Sequence, residues 1–362
     1  MTGHSASPGW QENPLMTIGV GVLGTGFMGH TWGEVAQRHA SGTHLAAVAG
    51  GRRAAQLASD YDVPLSPSFE ALLARGDVDL VVLATPPDGH RDQAIAAARA
   101  GKHVLVEKPM TATVAEAAEM VDAADAAAIR LGVVSQHRFR GAPVSAKRAI
   151  QAGRLGRLRM ARITGGEVGW WDMDSRGDMW KKDPKIQTAY ASWAAHACDL
   201  LRWMLGRQAV RAFGQAVSYS GFVPNESAMV TYTFEDGTMA DVWMTYELPA
   251  PGLGSGLQYL LVGSEAMLTL DVYGQVQLSS AAGWEVIFEQ EPFDPLDAVD
   301  PKRLQAYARQ LEDVVAAIQA RRDPLVSGRE GLLTTEMLEA AERSFASGEA
   351  VDLPLGASTA PR

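Results

Sequence analysis

The sequence predicts an α/β protein: an N-terminal, doubly wound parallel sheet is followed by a C-terminal α/β domain with a large, open, mostly antiparallel sheet. Three observations lead to this prediction. Strand-like and helix-like segments alternate from residue 17 to about 140. A glycine-rich turn joins the first strand to the first helix, as in doubly wound folds. After residue 140, apolar runs separated by turn residues replace the alternation.

Composition bounds the class of protein. A chain of 362 residues, 47% of them hydrophobic, is long enough for about two domains. The net charge of −10 gives no general attraction to nucleic acid or anionic lipid. The single cysteine, Cys198, fits a reducing compartment, so a cytoplasmic protein is expected. We predict domains at 17–140 and 141–353, with loose tails at 1–16 and 354–362.

In the first domain, continuous apolar runs predict strands, because helices cover both faces of a parallel sheet. Strands are expected at 17–23, 44–49, 79–84, 103–106 and 132–135. Helices are expected at 27–40, 52–61, 68–75, 91–100 and 113–128. Thr113 and Glu116 have the spacing of a capping box, which marks the start of the last of these helices.

In the second domain, strand-like runs dominate between helices. Strands are expected at 158–164, 210–219, 228–234, 239–246, 258–262, 267–272 and 275–278. Helices are expected at 143–152, around His196 near a helix start, and at 301–321 and 328–348. One face of such a sheet packs on the core, and the other is able to meet solvent or a partner.

The glycine-rich turn predicts a dinucleotide site. It reads Gly24-Thr-Gly26-Phe27-Met28-Gly29. The first glycine allows the tight turn, the second lets phosphates approach the backbone, and the third lets the helix pack close to the strand. The N-terminus of the helix then offers unpaired N–H groups to the anion. The residues of this turn that we expect to contact the cofactor are Gly24, Gly26, Phe27, Met28 and Gly29.

The end of the second strand bears on which dinucleotide binds. It reads Gly50-Gly51-Arg52-Arg53, without the acid that bonds the ribose hydroxyls in many NAD sites. Arginines here would suit the 2′-phosphate of NADP. Alternatively, both arginines are solvated and NAD is accepted without an acidic partner. We favour NADP over NAD and assign Gly51, Arg52 and Arg53 to cofactor binding.

Two further strand ends place polar residues at the expected cofactor edge, since ligands bind beyond the carboxyl ends of parallel strands. The first has Thr85-Pro-Pro followed by His90, which could also be a plain turn. The second is Glu107-Lys108-Pro109, in which proline holds Lys108 extended. The residues expected to line the cofactor here are Thr85, Pro86, Pro87, His90, Glu107, Lys108 and Gln136.

Lys108 is the first catalytic candidate. A lysine at this edge can donate a proton or hydrogen bond to a reacting oxygen, and burial beside a cationic nicotinamide should lower its pKa. A surface ion pair with Glu107 is the alternative, which the position at a buried strand end makes less favourable.

Together these motifs resemble the Gfo/Idh/MocA family, which includes glucose–fructose oxidoreductase and inositol dehydrogenases. The resemblance extends from residue 17 to about 353 and rests on segments 24–29, 85–87, 100–109, 138–139, 196–206 and 326–331. It implies an N-terminal Rossmann domain, a catalytic Lys108 and a Lys108–Pro109 bond that can be cis. It also implies a homodimer or homotetramer formed through the C-terminal sheet.

His196 is the second catalytic candidate, since it matches the family's His-x-x-Asp pattern with Asp199 on the same helix face. It would take a proton from the reacting hydroxyl while Lys108 fixes the same oxygen. The chain departs from inositol-dehydrogenase-like members at Ser192, where they carry an aspartate four residues before the histidine. This departure weakens the expectation of an aspartate-assisted relay and of a polyol substrate.

The remaining candidates concern the substrate. A loop rich in tryptophan and charged residues suits sugar or flat-ring binding, although it could equally pack on the sheet. The residues assigned to substrate binding are Arg138, Trp170, Trp171, Trp180, Tyr190, Ser192 and Asp199. No metal is expected, because His196 and Asp199 have no apparent third ligand.

These observations predict an NAD(P)-dependent oxidoreductase. It would transfer a hydride between nicotinamide and a secondary alcohol or ketone of a sugar, glycoside or cyclic polyol. Three alternatives remain: a dihydrodiol dehydrogenase acting on an aromatic cis-diol, a redox-cycling glycosidase, and a non-catalytic nucleotide-binding regulator.

Overall fold

A computed structural model describes residues 17–168, 183, 188–254 and 256–355. Trp170, Trp171 and Trp180, which the sequence assigns to substrate binding, lie outside the described residues. The described chain forms an α/β fold with two sheets, one parallel and one mostly antiparallel, which confirms the predicted fold class. None of the described helices is long and apolar enough to cross a membrane.

The first sheet has six parallel strands in the order β3-β2-β1-β4-β5-β6. They are β1 (Ile18–Leu23), β2 (Thr43–Ala49), β3 (Leu65–Ser66), β4 (Leu80–Leu83), β5 (His103–Val106) and β6 (Leu131–Val133). Every residue of β1 and β4 is buried, as expected where helices cover both faces. The order reverses between β1 and β4, so the carboxyl ends of these two strands flank the crevice where such sheets bind ligands.

The helices of this half follow the predicted alternation. They are α1 (Phe27–Glu34), α2 (Ala54–Asp60), α3 (Phe69–Leu73), α4 (His90–Arg99) and α5 (Val114–Ala126). The capping box predicted for Thr113 and Glu116 is present at the start of α5. Helix α1 passes into a π-helical segment, Val35–His39, within the span predicted as one helix. Strand β3 is too short for an apolar pattern to predict it.

The second sheet has nine strands in the order β14-β13-β12-β11-β7-β10-β9-β8-β15. They are β7 (Leu158–Val168), β8 (Ala209–Val217), β9 (Ser227–Phe234), β10 (Met239–Leu248), β11 (Leu257–Gly263), β12 (Met267–Asp271), β13 (Gln275–Ser280), β14 (Gly283–Glu289) and β15 (Val351–Asp352). All neighbours pair antiparallel except β7 and β10. Strand β14 was not predicted, because it is largely exposed and lacks a buried apolar alternation.

The later helices are α6 (Gly141–Gln151), α7 (Ala189–Leu205), α8 (Pro301–Ala320) and α9 (Gly328–Ser347). Thr188 caps α7 by accepting a hydrogen bond from the N–H of Ala191. The expectation that His196 lies near a helix start is therefore wrong, since α7 begins seven residues earlier and His196 lies in its middle. The sequence did not reveal Thr188 as the cap, because the residues around it lack apolar residues at helical spacing.

Helix α8 packs on the first sheet although it follows strands β7 to β14 of the second. Its Leu304, Leu311 and Val314 share one buried core with Val20 and Val22 of β1. Helix α9 adds side chains to the core of the second sheet, and Gly331 on it abuts Val133 of β6 closely. The two C-terminal helices therefore join the two sheets.

Candidate active site

The glycine loop sits at the switch point of the first sheet. Gly24 has a φ of +93°, and a Cβ there would lie 2.5 Å from the carbonyl oxygen of Ala84. A Cβ on Gly29 would lie 1.9 Å from the oxygen of Gly24. A Cβ on Gly26 would meet nothing within 4 Å. Two of the three glycines therefore serve close packing, while the third borders open space.

That open space lies at the N-terminus of α1. Gly26 is the N-cap residue, and no side chain caps the helix, so its first N–H groups remain available. Thr25 Oγ1 donates to the carbonyl oxygen of Gly50 at 3.0 Å, which ties the loop to the end of β2. Arg52 and Arg53 follow there as exposed residues. The cradle fits the diphosphate of a dinucleotide.

His90 links two loops of this edge. It is fully buried; its Nε2 lies 2.9 Å from the oxygen of Thr85, and its Nδ1 lies 3.2 Å from the oxygens of Pro109 and Met110. Burial lowers the pKa of His90. Because both ring nitrogens face backbone carbonyls, the geometry argues for a supporting role rather than the direct cofactor contact expected from the sequence.

Glu107 is buried and fully engaged. Its Oε1 accepts a hydrogen bond from Trp32 Nε1 at 2.8 Å, and its Oε2 accepts one from the N–H of Lys108 at 3.1 Å. Burial raises the pKa of this carboxyl. Glu107 thus fixes the backbone at Lys108 against α1. The part played by Trp32 was not foreseen, because only the folded sheet brings it to Glu107.

Gln136 gives a separate sign of a ligand. It lies in the short turn after β6, and its side-chain Oε1 is buried without a hydrogen-bond partner among the described residues. An unsatisfied buried acceptor is costly unless a bound molecule supplies a donor. A carboxamide, such as that of nicotinamide, would supply one.

Lys108 lies across from α7. The Lys108–Pro109 peptide bond is cis, as the family resemblance implied. Lys108 Nζ donates to the backbone oxygen of Ser192 at 3.1 Å. The family resemblance implied an aspartate at position 192. In this chain the main chain of Ser192 makes the contact with Lys108, so the contact does not depend on the side chain at that position.

His196 lies one turn beyond Ser192 on α7. Its ring centroid is 4.4 Å from that of His137 and 5.8 Å from that of Trp193. Burial, with the nearby positive charge of Lys108, holds the pKa of both His196 and His137 well below the ordinary value. Two neutral imidazoles thus lie near a lysine ammonium.

Arg138 and Asp199 bind each other. Arg138 Nε and Nη2 donate to the two Asp199 oxygens at 2.8 and 2.6 Å, and Nη1 donates to Glu330 at 2.8 Å. Arg202 also donates to Glu330, at 2.6 Å. Arg138 is only 2% exposed. This geometry argues against the substrate contacts expected for Arg138 and Asp199; the network instead fastens the turn after β6 to α7 and α9.

Tyr190 also lies in the protein interior. It is 1% exposed, and its hydroxyl is 2.9 Å from that of Tyr232, which donates to the oxygen of Met337. Cys198 is buried beside the same hydroxyls. The geometry thus places Tyr190 in the core of the second sheet rather than at the substrate. Within the described ranges, no three metal-ligating side chains cluster.

Comparisons with known proteins agree with this geometry. Residues 18–135 match the model of the GFO/IDH/MocA oxidoreductase family with an NAD-binding Rossmann fold, and residues 144–269 match the GFO/IDH/MocA C-terminal domain. The 1,5-anhydro-D-fructose reductase of Ensifer adhaerens is 28% identical over 93% of this chain and 98% of its own.

Two more proteins extend the comparison. Inositol 2-dehydrogenase of Rhizobium meliloti is 25% identical over 93% of this chain and all of its own length. Among solved structures, the WlbA dehydrogenase of Chromobacterium violaceum, in complex with NADH and UDP-GlcNAcA, superposes with a TM-score of 0.81 at 25% identity. That match covers 94% of this chain and 97% of the other.

Proposed function

The chain belongs to the Gfo/Idh/MocA family of NAD-binding oxidoreductases, and we propose that it transfers a hydride between nicotinamide and a secondary alcohol or ketone of a sugar, glycoside or cyclic polyol. Similarity to proteins named as an anhydrofructose reductase and an inositol dehydrogenase supports this substrate class. The observation that carries the proposal is the juxtaposition of Lys108 with α7 and the neutral ring of His196.

In this proposal a bound nicotinamide would supply the hydride chemistry, and the chain would manage the proton. Lys108 Nζ donates a hydrogen bond to the substrate oxygen and holds it in place. The neutral ring of His196 accepts the proton of that hydroxyl when the alcohol is oxidised and returns it in the reverse direction. Glu107 and the backbone of Ser192 hold Lys108 in position.

The cofactor would be held by the glycine loop, the loop after β4 and Gln136. The residues in direct contact would be Gly24, Gly26, Phe27, Met28, Gly29, Gly51, Thr85, Pro86, Pro87 and Gln136. We propose NADP as the preferred dinucleotide, because Arg52 and Arg53 stand exposed at the end of β2, where no acid would repel a 2′-phosphate.

We also propose that the chain acts as a homo-oligomer in a reducing compartment such as the cytoplasm. The outward face of β8, β9 and β10 exposes Phe213, Val217 and Met229, and apolar patches of this kind mark interaction surfaces. A second copy of the chain is the proposed occupant of this face, which we call the outer sheet face. The reducing compartment is proposed because Cys198 is a free, buried thiol.

The function is tested with Lys108→Ala, followed at the nicotinamide absorbance band near 340 nm across sugars and cyclic polyols. We expect kcat to fall by about 10²–10⁴ while the cofactor Kd stays near that of the wild type. Lys302→Ala, an exposed lysine paired with Glu291, is the matched control. Wild-type kcat in Lys108→Ala would refute the mechanism, and a wild-type enzyme without absorbance change would favour a non-catalytic nucleotide binder.

A further inference from the structure

Arg140 stands apart from the other buried arginines near the site. Arg138 and Arg202 both pair with carboxylates, and Arg303 bonds neutral acceptors such as Thr31. Arg140 is 4% exposed, yet it forms no ion pair with any residue in the described part of the chain. A buried charge without a compensating anion is strongly unfavourable, so a bound anion would stabilise Arg140 in this position.

The contacts that Arg140 does make fix its position without neutralising it. Its Nε donates to His137 Nδ1 at 3.3 Å. Its guanidinium carbon lies 5.0 Å from the ring centroid of Tyr273 and 4.6 Å from that of Phe293. The guanidinium is therefore held by three rings, while its two terminal nitrogens donate to no described residue.

These contacts place Arg140 close to His196, with His137 between them. His137 Nδ1 accepts a hydrogen bond from Arg140. The ring proton of the neutral His137 therefore lies on Nε2, which is 3.4 Å from the Tyr273 hydroxyl. The other side of the same ring packs on His196. A group bound by Arg140 would thus sit about one imidazole ring away from His196.

The surrounding charges leave this position open to an anion. Arg303 and Lys108 add positive charge nearby, as their effects on neighbouring groups show. The buried carboxylate of Glu107 forms no ion pair with Arg140, since its two oxygens accept from Trp32 and from the N–H of Lys108. Glu167 adds negative charge near Tyr273 but forms no ion pair with Arg140, so no carboxylate of the described residues neutralises the guanidinium.

We propose that Arg140 binds an anionic group of the substrate, a carboxylate or a phosphate, close to the carbon that is oxidised. The inference rests on the proposed function, and it narrows the substrate from sugars in general to acidic or phosphorylated ones. The terminal nitrogens of a guanidinium match the oxygens of either anion in a bidentate pair. Arg138, the arginine first suggested for this role, is already saturated by Asp199 and Glu330.

The test compares D-glucose, D-glucuronate and D-glucose 6-phosphate, titrated by calorimetry into the protein saturated with oxidised cofactor. In the wild type we expect one of the two anions to bind about tenfold more tightly than glucose, or better. Arg140→Gln should reduce this ratio to about one, while Arg140→Lys retains part of it. Arg148→Gln replaces an exposed arginine on α6, the helix that begins directly after Arg140, and should leave the ratio unchanged.

The outcomes separate cleanly. Preference for glucuronate identifies a carboxylate, and preference for the 6-phosphate identifies a phosphate; both support Arg140 as the anion site. Equal Kd values for all three ligands, or a preference that persists in Arg140→Gln, would overturn the proposal. Because the readout is binding, it does not depend on hydride transfer, which Lys108→Ala tests. Arg140→Lys keeps the experiment informative if the glutamine variant does not fold.

Discussion

At the scale of single residues, surroundings decide which polar groups remain available for chemistry. Lys108 and His196 were identified from motifs, and their position across β5 and α7 supports the proposed roles. The motifs could not show that Arg138 and His90 are occupied, since their partners come from distant parts of the chain or from backbone carbonyls. Sequence therefore indicated which chemical groups lie near the site, but not which of them are already engaged by other residues.

His196 gives a pH prediction. Its burial makes the protonated ring unfavourable, so the folded-state pKa is lowered, and the neutral base persists below the ordinary value of 6.5. We expect kcat/KM for alcohol oxidation to stay level as pH falls to 6.5 and to decrease only at lower pH. His196→Asn should lower the rate and abolish this acidic limb. An acidic limb centred at or above pH 6.5 in the wild type would contradict this role for the buried imidazole.

Arg52 and Arg53 give a cofactor prediction. If they bind a 2′-phosphate, the double variant Arg52→Ala/Arg53→Ala should raise the Kd for NADP about tenfold or more, since charge-assisted bonds of roughly 1.5–3 kcal/mol are lost. The Kd for NAD should change little. Arg99→Ala, an exposed arginine at the end of α4, serves as the control. Equal effects on both dinucleotides, or tighter wild-type binding of NAD, would reject the NADP preference.

At the scale of elements, the first sheet was predicted well because its strands are apolar on both faces. The second sheet was predicted less completely. Strand β14 is exposed along most of its length, so nothing in its local pattern distinguishes it from a loop, and only pairing with β13 makes it a strand. Local sequence thus predicts buried strands better than exposed strands, which form only by pairing with a neighbouring strand.

The motif predicts different roles for two glycines of the loop, and the structure makes these roles testable one by one. Gly29→Ala should lower the free energy of unfolding by about 1–3 kcal/mol, because its Cβ would collide with the backbone of Gly24. Gly26→Ala should leave stability nearly unchanged, since its Cβ faces open space, but should raise the cofactor Kd about tenfold or more. Thermal unfolding and calorimetry measure the two effects.

Gly76→Ala is the control for both variants, because a Cβ there also meets nothing within 4 Å and the residue lies outside the loop. Loss of stability in Gly26→Ala, without any change in cofactor binding, would show that the open space serves the fold and not a ligand.

At the scale of the whole molecule, the two sheets have different relations to solvent. Helices bury both faces of the first, whereas the second keeps an outer sheet face on which Gln215, Met229 and Trp243 lie side by side across three strands. The sequence predicted an open sheet from its alternation. It did not show which strands would bring the apolar residues together, because that depends on the strand order.

The outer sheet face gives a prediction about assembly. We expect light scattering to report a dimer or tetramer, and Met229→Lys to shift the mass toward one chain, since a charge would be buried against the second copy. Leu65→Lys, an exposed apolar residue on the edge of the first sheet, should leave the mass unchanged. An unaltered oligomer in Met229→Lys would place the contact elsewhere.

The packing of α8 on β1 has a consequence for synthesis. The apolar surface around Val20 and Val22 is completed by Leu304, Leu311 and Val314, which a ribosome releases only after strands β7 to β14 of the second sheet. During synthesis, the nucleotide-binding half therefore keeps the face that α8 later covers exposed to solvent. This differs from the usual order, in which the domain synthesised first also folds first. A fragment ending at residue 140 would keep that face exposed, so we expect it to aggregate unless a peptide spanning α8 is supplied.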